Sequence, residues 1–367
     1  MRHASLRGLL LTLGAGSLVA LAAACGGGGS TGSSTTGAAA VCPESLAKPE
    51  NQEFCEGSAA AVNCDLVTPQ YGDQICGVPL KAPADELKRS ATVKEFSGSG
   101  PPKLECFTTG SYPAKPDTAN SQKVQVAGIA KIFSHGCESK DLKIEIFTVK
   151  RTGGADDGAL DQAIGNPLTT SSDCTVNGVA SEEEDCGTRY ECNYIYNGVP
   201  TETELLIKTS GAAWAALYDY NVFIPNAEVK NGVWTHDVRA LASDDYNVIS
   251  QAAIGVPVTA GNGALAGEVH DCSDVRLQNA TVEIDQPRKI VTYFTSDEDH
   301  PLPDTTARET SILSLYAAID VKPGPITVAA MGMVDGKPTT VGFFKAQIFP
   351  DSVTSVTFRG LRPFQVP

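Results

Sequence analysis

Positive charge, long helical periodicity and catalytic fingerprints are what this 367-residue chain has least of. Lys and Arg number 28 against 43 Asp and Glu, a formal net charge of −15 with the five His neutral. A chain this acidic is repelled by phosphate backbones and anionic head groups, which argues against nucleic acid as a partner. There is no phosphate-binding loop, dinucleotide fingerprint or Cys-x-x-Cys, so the motif-borne chemistry of nucleotides and dithiols is excluded. Gly28-Gly29-Ser30-Thr31-Gly32 spells Gly-x-Ser-x-Gly, but it lies in a low-complexity stretch, whereas that nucleophile needs a strand-to-helix elbow. The acidic runs Ser181-Glu182-Glu183-Glu184-Asp185 and Ser296-Asp297-Glu298-Asp299-His300 lack the Gly-centred spacing of an EF-hand and read as solvated loops.

What is present begins with an address. Arg2 and Arg7 precede an apolar run from Leu9 to Ala24, the pattern of a secretory signal peptide over residues 1–24. Gly14 and Gly16 interrupt the run, which is unlike a mature membrane-spanning helix. The segment ends Leu21-Ala22-Ala23-Ala24-Cys25, which resembles the lipobox of bacterial lipoproteins, with Ala22 where that family prefers Leu. The resemblance implies lipidation of Cys25, the first mature residue. Gly26 in place of an acidic retention signal implies an outer-membrane lipoprotein of the cell envelope, facing the periplasm or the cell surface. Gly26 to Gly37, GGGGSTGSSTTG, is a flexible polar tether within residues 25–40. Each acyl methylene buried in the bilayer adds about 0.8 kcal/mol of anchoring.

The other ten cysteines form an even set in an oxidising compartment, where disulfides are the expectation. Cys42, Cys55, Cys64 and Cys76 lie in a Pro/Gly-rich segment. Their spacings are too wide for a zinc module, so they read as a small stapled cap within residues 41–122. Cys137, Cys174, Cys186 and Cys192 make a second group, in which Cys192 is the first choice of partner for Cys137. Elimination leaves Cys106 with Cys272, a bridge from the N-terminal region to the last domain.

From residue 123 the chain alternates apolar and polar residues, the period of half-buried strands. Lys123–Phe133 (KVQVAGIAKIF) and Leu142–Val149 (LKIEIFTV) are the clearest. Similar runs start at Glu204, Ala216, Ala280, Lys289, Ser311, Ile326 and Val341, and Asp335-Gly336 suits a hairpin turn between the last two. Helical periodicity is confined to PADELKRS from Pro83 and ALDQAIG from Ala159. Two stretches, VAGIAKIFSHGCESKDLKIEIF from Val126 and ALAGEVHDCSDVRLQNATVEID from Ala264, share Ala-Gly, a strand, a His before a Cys and a second strand. WAALYDYNVFIPNAEV from Trp214 then runs alongside SILSLYAAIDVKPGPITV from Ser311. This order predicts an all-β protein with two copies of one sandwich, over 123–258 and 259–367.

The second copy resembles the carboxypeptidase regulatory-like domain. The likeness is carried by Gly267-Glu268-Val269, Asn279-Ala280-Thr281-Val282 and Asp320-Val321-Lys322-Pro323-Gly324-Pro325-Ile326-Thr327-Val328, and it extends from Gly263 to Arg362. It implies two tandem transthyretin-like or Ig-like β-sandwiches behind the disulfide-rich N-terminal segment. It also implies a non-catalytic accessory module without a cofactor, whose partner is an envelope protein, peptide or glycan.

Ser134-His135-Gly136-Cys137-Glu138 contains the His-x-x-Glu that zinc carboxypeptidases use, so a metal-dependent hydrolase using His135 and Glu138, with His236 or His270 as a third ligand, is the alternative. That chemistry needs a large α/β domain, a general base and an Arg for the substrate carboxylate, and no stretch outside the sandwiches supplies them. Trp214, Trp234, Tyr218 and Tyr220 sit at strand spacing, which suits core positions better than a ligand groove.

Overall fold

The structure is a computed structural model. It describes residues 83–365 apart from 92, 94–97, 99, 107–115, 134–135, 153–155, 175–176, 181–185, 299–300 and 361. The leader, the tether with Cys25, and Cys42, Cys55, Cys64 and Cys76 lie outside the described residues, as do His135, the 181–185 acidic run, Asp299 and His300. The described chain is mostly β. Among the described residues no helix is long and apolar enough to cross a membrane.

A short β1 (Lys88–Arg89) precedes the first set of strands. In β2 (Lys123–Phe133), Val124, Val126, Ala130 and Ile132 turn inward, as the alternation requires. Then follow β3 (Lys143–Val149), β4 (Leu160–Thr169), β5 (Gly178–Ala180), β6 (Thr188–Tyr190), β7 (Asn193–Pro200), β8 (Glu204–Ser210), β9 (Ala216–Phe223), β10 (Val233–Thr235) and β11 (Val238–Leu241). Strand β2 pairs antiparallel with β7 and parallel with β10 and then β11. A second layer runs β4-β3-β8-β9, antiparallel throughout. Between the layers Val126, Ile132 and Val238 pack with Ile144, Ile146 and Ile207.

A helix, α1 (Ser243–Ile254), leads into the second set. Asp244 and Asp245 sit in its first turn, where the helix dipole favours negative charge, and Gly255 ends it at φ 75°. The second set comprises β12 (Gly263–His270), β13 (Leu277–Gln278), β14 (Ala280–Ile284), β15 (Ile290–Phe294), β16 (Pro303–Asp304), β17 (Leu315–Val321), β18 (Gly324–Val334), β19 (Lys337–Ile348), β20 (Ser352–Val356) and β21 (Phe358–Arg359). Asp335 and Gly336 close the β18–β19 hairpin with φ of 50° and 70°, a two-residue turn that needs positive φ at both positions.

The pairing pattern of the first set recurs here. Strand β12 pairs antiparallel with β17 and parallel with β20 and then β21, as β2 does with β7, β10 and β11. Sheet β14-β18-β19 reproduces β3-β8-β9. One strand has changed sheets: β15 pairs with β17, whereas β4 pairs with β3.

The recurrence extends to single atoms. Gly128 in β2 lies opposite Tyr194 in β7, and Gly267 in β12 lies opposite Tyr316 in β17. The Tyr194 hydroxyl donates to the His236 carbonyl at 2.7 Å, between β10 and β11. The Tyr316 hydroxyl donates to the Val356 carbonyl at 2.5 Å, at the end of β20 where the chain passes to β21. A Cβ on either glycine would overlap that same carbonyl. The Ala-Gly shared by the two stretches is therefore a close approach of two parallel strands, clasped by a tyrosine.

The two sets are fused. Strand β20 pairs in parallel with β12 on one edge and with β9 on the other, making one ten-stranded sheet. Tyr220 of β9 meets Phe344 of β19 edge-on at 5.9 Å, and Tyr218 stacks on Phe349 at 3.9 Å. Arg151 pairs with Glu204 and lies over the Phe344 ring. Helix α1 covers the outer face of the long sheet, where Ala253 and Ile249 meet Ala264, Ala317 and Ile319.

Several expectations are corrected. PADELKRS is not helical: Leu87 inserts over Gly332 and β1 pairs with β13. ALDQAIG belongs to β4, an edge strand held by β3, so tertiary pairing overrides its local helical pattern. Gly267-Glu268-Val269 lies late in β12 and does not open it. In the pairing pattern β9 corresponds to β19 and β17 to β7, so the stretches from Trp214 and Ser311 are not counterparts. The N-terminal strap joins the second set, through β1 and the Cys106–Cys272 bond expected by elimination. Closing so long a loop restricts the unfolded chain by an amount worth about 4–5 kcal/mol in the chain-entropy account.

Adding one methyl group tests the clasp. Gly128→Ala and Gly267→Ala should each destabilise the protein by about 2–4 kcal/mol. Tyr316→Phe, which removes only the hydroxyl, should cost about 1–2 kcal/mol. Urea denaturation midpoints measure all three.

Candidate functional site

The insertion between β4 and β7 builds a cleft. Its hairpin, β5 with β6, is tied down by two disulfides, Cys137–Cys186 and Cys174–Cys192, each with Cα atoms 5.2 Å apart. The expectation that Cys137 joins Cys192 is thus corrected. Cys137 runs beside β6, where the Tyr190 amide donates to its carbonyl at 2.8 Å, and its sulfur joins Cys186 just before that strand. Cys192, entering β7, is buried against Cys174. The Ser139 hydroxyl accepts the Cys192 amide at 2.8 Å, and Asn177 Nδ2 donates to the Glu191 carbonyl at 2.9 Å.

As β7 diverges from β2, the Glu191 carboxylate takes over as acceptor for the Ile132 amide, at 3.0 Å. A cleft of about 360 Å³ opens here. Ile129 and Ile132 give it an apolar wall, and Lys131, Arg189 and Arg239 give it three cations against Glu191. Lys131 and Arg239 are register partners on β2 and β11, with Lys131 3.3 Å from Asp237. Arg189 Nε is buried without a hydrogen-bond acceptor, 3.9 Å from Glu191.

Arg239 links the cleft to an ionic cluster on the long sheet, its guanidinium lying 4.0 Å from Glu268. Glu268 accepts from Arg276 at 2.9 and 3.1 Å and meets His270 Nε2 at 2.7 Å. His270 Nδ1 meets Asp274 at 2.7 Å, and Arg359 reaches both oxygens of Asp274. His270 thus bridges Glu268 and Asp274 through its two ring nitrogens. Burial opposes charge on Glu268 and Asp274. The hydrogen bonds from His270, with Arg276 and Arg359, outweigh it and hold both carboxyls below their ordinary values. Burial wins at Asp219, which is raised although Ser355 donates to it and Arg359 is near. Burial, with the field of Arg359, pushes His236 down to about 3, and the ring stacks on Trp234 at 4.8 Å.

The residues singled out in the sequence are scattered. Glu138 pairs with Lys140 at 2.9 Å, and its proposed partner His135 is outside the described residues. His236 and His270 occupy the environments just given. Among the described residues no three His, Cys, Asp or Glu side chains converge to hold a metal. Trp214 is buried and donates to the Lys140 carbonyl, Trp234 donates to Glu228, and Tyr220 donates to the Gly158 carbonyl. These aromatics are spread through the core and do not form a groove. Arg189, Arg239 and Arg359 carry no sequence signal of their own, and Glu268 stands out there only within Gly267-Glu268-Val269. The one available signal was Glu268 and His270 on the same face of a strand otherwise lined with apolar residues.

The chain matches no protein-family model, and no curated protein is similar to it.

Removing one partner of a buried pair typically costs about 3–5 kcal/mol, so Glu268→Gln should lose about that much at pH 7. The folded carboxyl titrates below its ordinary 4.5, so its contribution is complete above that pH and fades as the pH falls through the depressed value. The stability gap between wild type and variant should therefore narrow between pH 5 and the acid limit of folding, as urea midpoints across that range will read.

Proposed function

We propose that this chain is a non-catalytic, lipid-anchored protein of the bacterial cell envelope, in which two tandem transthyretin-like sandwiches form one rigid binding module. The observation that carries the reading is the repeated strand pairing, fused through β20 and braced by disulfides. It builds a stiff frame around a cleft. The disulfides suit an oxidising compartment, in keeping with the leader and Cys25. The carboxypeptidase regulatory-like resemblance is supported by the positions of two of its three motifs, Gly267-Glu268-Val269 being the exception. Ala280-Thr281-Val282 opens β14, and Pro323-Gly324 turns the chain from β17 into β18. Cys25 and the tether anchor the frame, leaving the cleft for an envelope protein, peptide or glycan.

Feeding cells an alkyne-tagged fatty acid should label the wild type and leave Cys25→Ala unlabelled and absent from the membrane fraction. The non-catalytic part is overturned by one result: stoichiometric zinc and peptide hydrolysis that both disappear in Glu138→Ala.

A further inference from the structure

The geometry points to a binding site for a small organic monocarboxylate in the cleft beneath the β5–β6 hairpin, held by Arg189 and Arg239. Both arginines line the cleft, and among the described residues neither guanidinium makes a hydrogen bond. Arg189 Nε is buried without an acceptor, and the ion pairs of the two arginines are long, 3.9 and 4.0 Å. An arginine carries five donors in a planar fork that matches the two oxygens of a carboxylate. Arg189 Nε is a buried donor without an acceptor, which an incoming carboxylate would satisfy, and the more exposed Arg239 adds a second fork on the same cleft.

The wall chemistry narrows the ligand. Ile129 and Ile132 suit an apolar body beside the anionic group. Glu191 keeps its carboxylate in the cleft, fixed by the Ile132 amide, and disfavours a dianion by like-charge repulsion. A monocarboxylate with an aliphatic side chain therefore fits better than a phosphate. The two disulfides hold Arg189 in place before the ligand arrives, which reduces the ordering cost of binding. This site deepens the reading of the chain as a binding module.

The full-length chain titrated with N-acetylleucine by calorimetry should show saturable binding, absent with the neutral N-acetylleucinamide and weaker with inorganic phosphate. Arg189→Gln and Arg239→Gln should each weaken it by about tenfold or more, with melting temperatures near that of wild type. Equal binding of the amide, or no saturable binding of the acid, overturns the site using wild-type protein alone. Binding unchanged in folded variants overturns it as well. Hydrolysis of the bound ligand would instead leave the site standing and remove the non-catalytic reading.

Discussion

Strand β20 carries hydrogen bonds on both edges, in parallel register with β12 on one side and β9 on the other. Buried backbone groups must be paired, and Val353, Thr354 and Val356 are buried. Withdrawing this one strand would strand donors and acceptors on both sets at once. The chain reaches it abruptly, leaving β19 in the opposite sheet and entering β20 after residues 349–351. Asp351 makes the corner at φ 49°, its amide bound to the Asn262 carbonyl and its side chain accepting from Gly261. The geometry of this corner sets how the two halves of the molecule share a sheet.

The same constraint explains the tyrosine clasps. Each set lays a broken strand parallel to its first strand, and at each break a carbonyl needs a donor. Tyr194 and Tyr316 supply it across a glycine that lets the backbones close. The two sets differ around this common feature. The first carries a disulfide-tied hairpin and with it the cationic cleft. The second carries the Cys106–Cys272 strap and the ionic cluster of Glu268, His270 and Asp274. Such a buried network contributes less stability than its contacts suggest. What it does is fix Arg239 and Arg359 against the sheet.

Much of the strand order was legible because half-buried strands alternate: KVQVAGIAKIF became β2 residue for residue. The Ala-Gly match fell on β2 and β12, whose pairing patterns agree, but the later stretches were paired out of step. Apolar alternation alone does not say which of several strands corresponds to which. Helix α1 went unread because its apolar face is thin and its sequence, SDDYNVISQAAI, mixes polar and β-branched residues. It is helical because Tyr246, Ile249 and Ala253 cover the sheet. Cys106 and Cys272 were matched by elimination, whereas three neighbours competed for Cys137 and only the fold distinguishes them. Arg189 and Arg239 are far apart in sequence and meet through non-local pairing, which leaves no local trace.

The two sets share one sheet through β20 and should unfold as one cooperative body. Hydrogen–deuterium exchange of the backbone amides of residues 353–356, followed against those of β9 and β12, measures this directly. All three strands should exchange together, by global unfolding and with one free energy. Early exchange of β20, or of one set while the other stays protected, would contradict it.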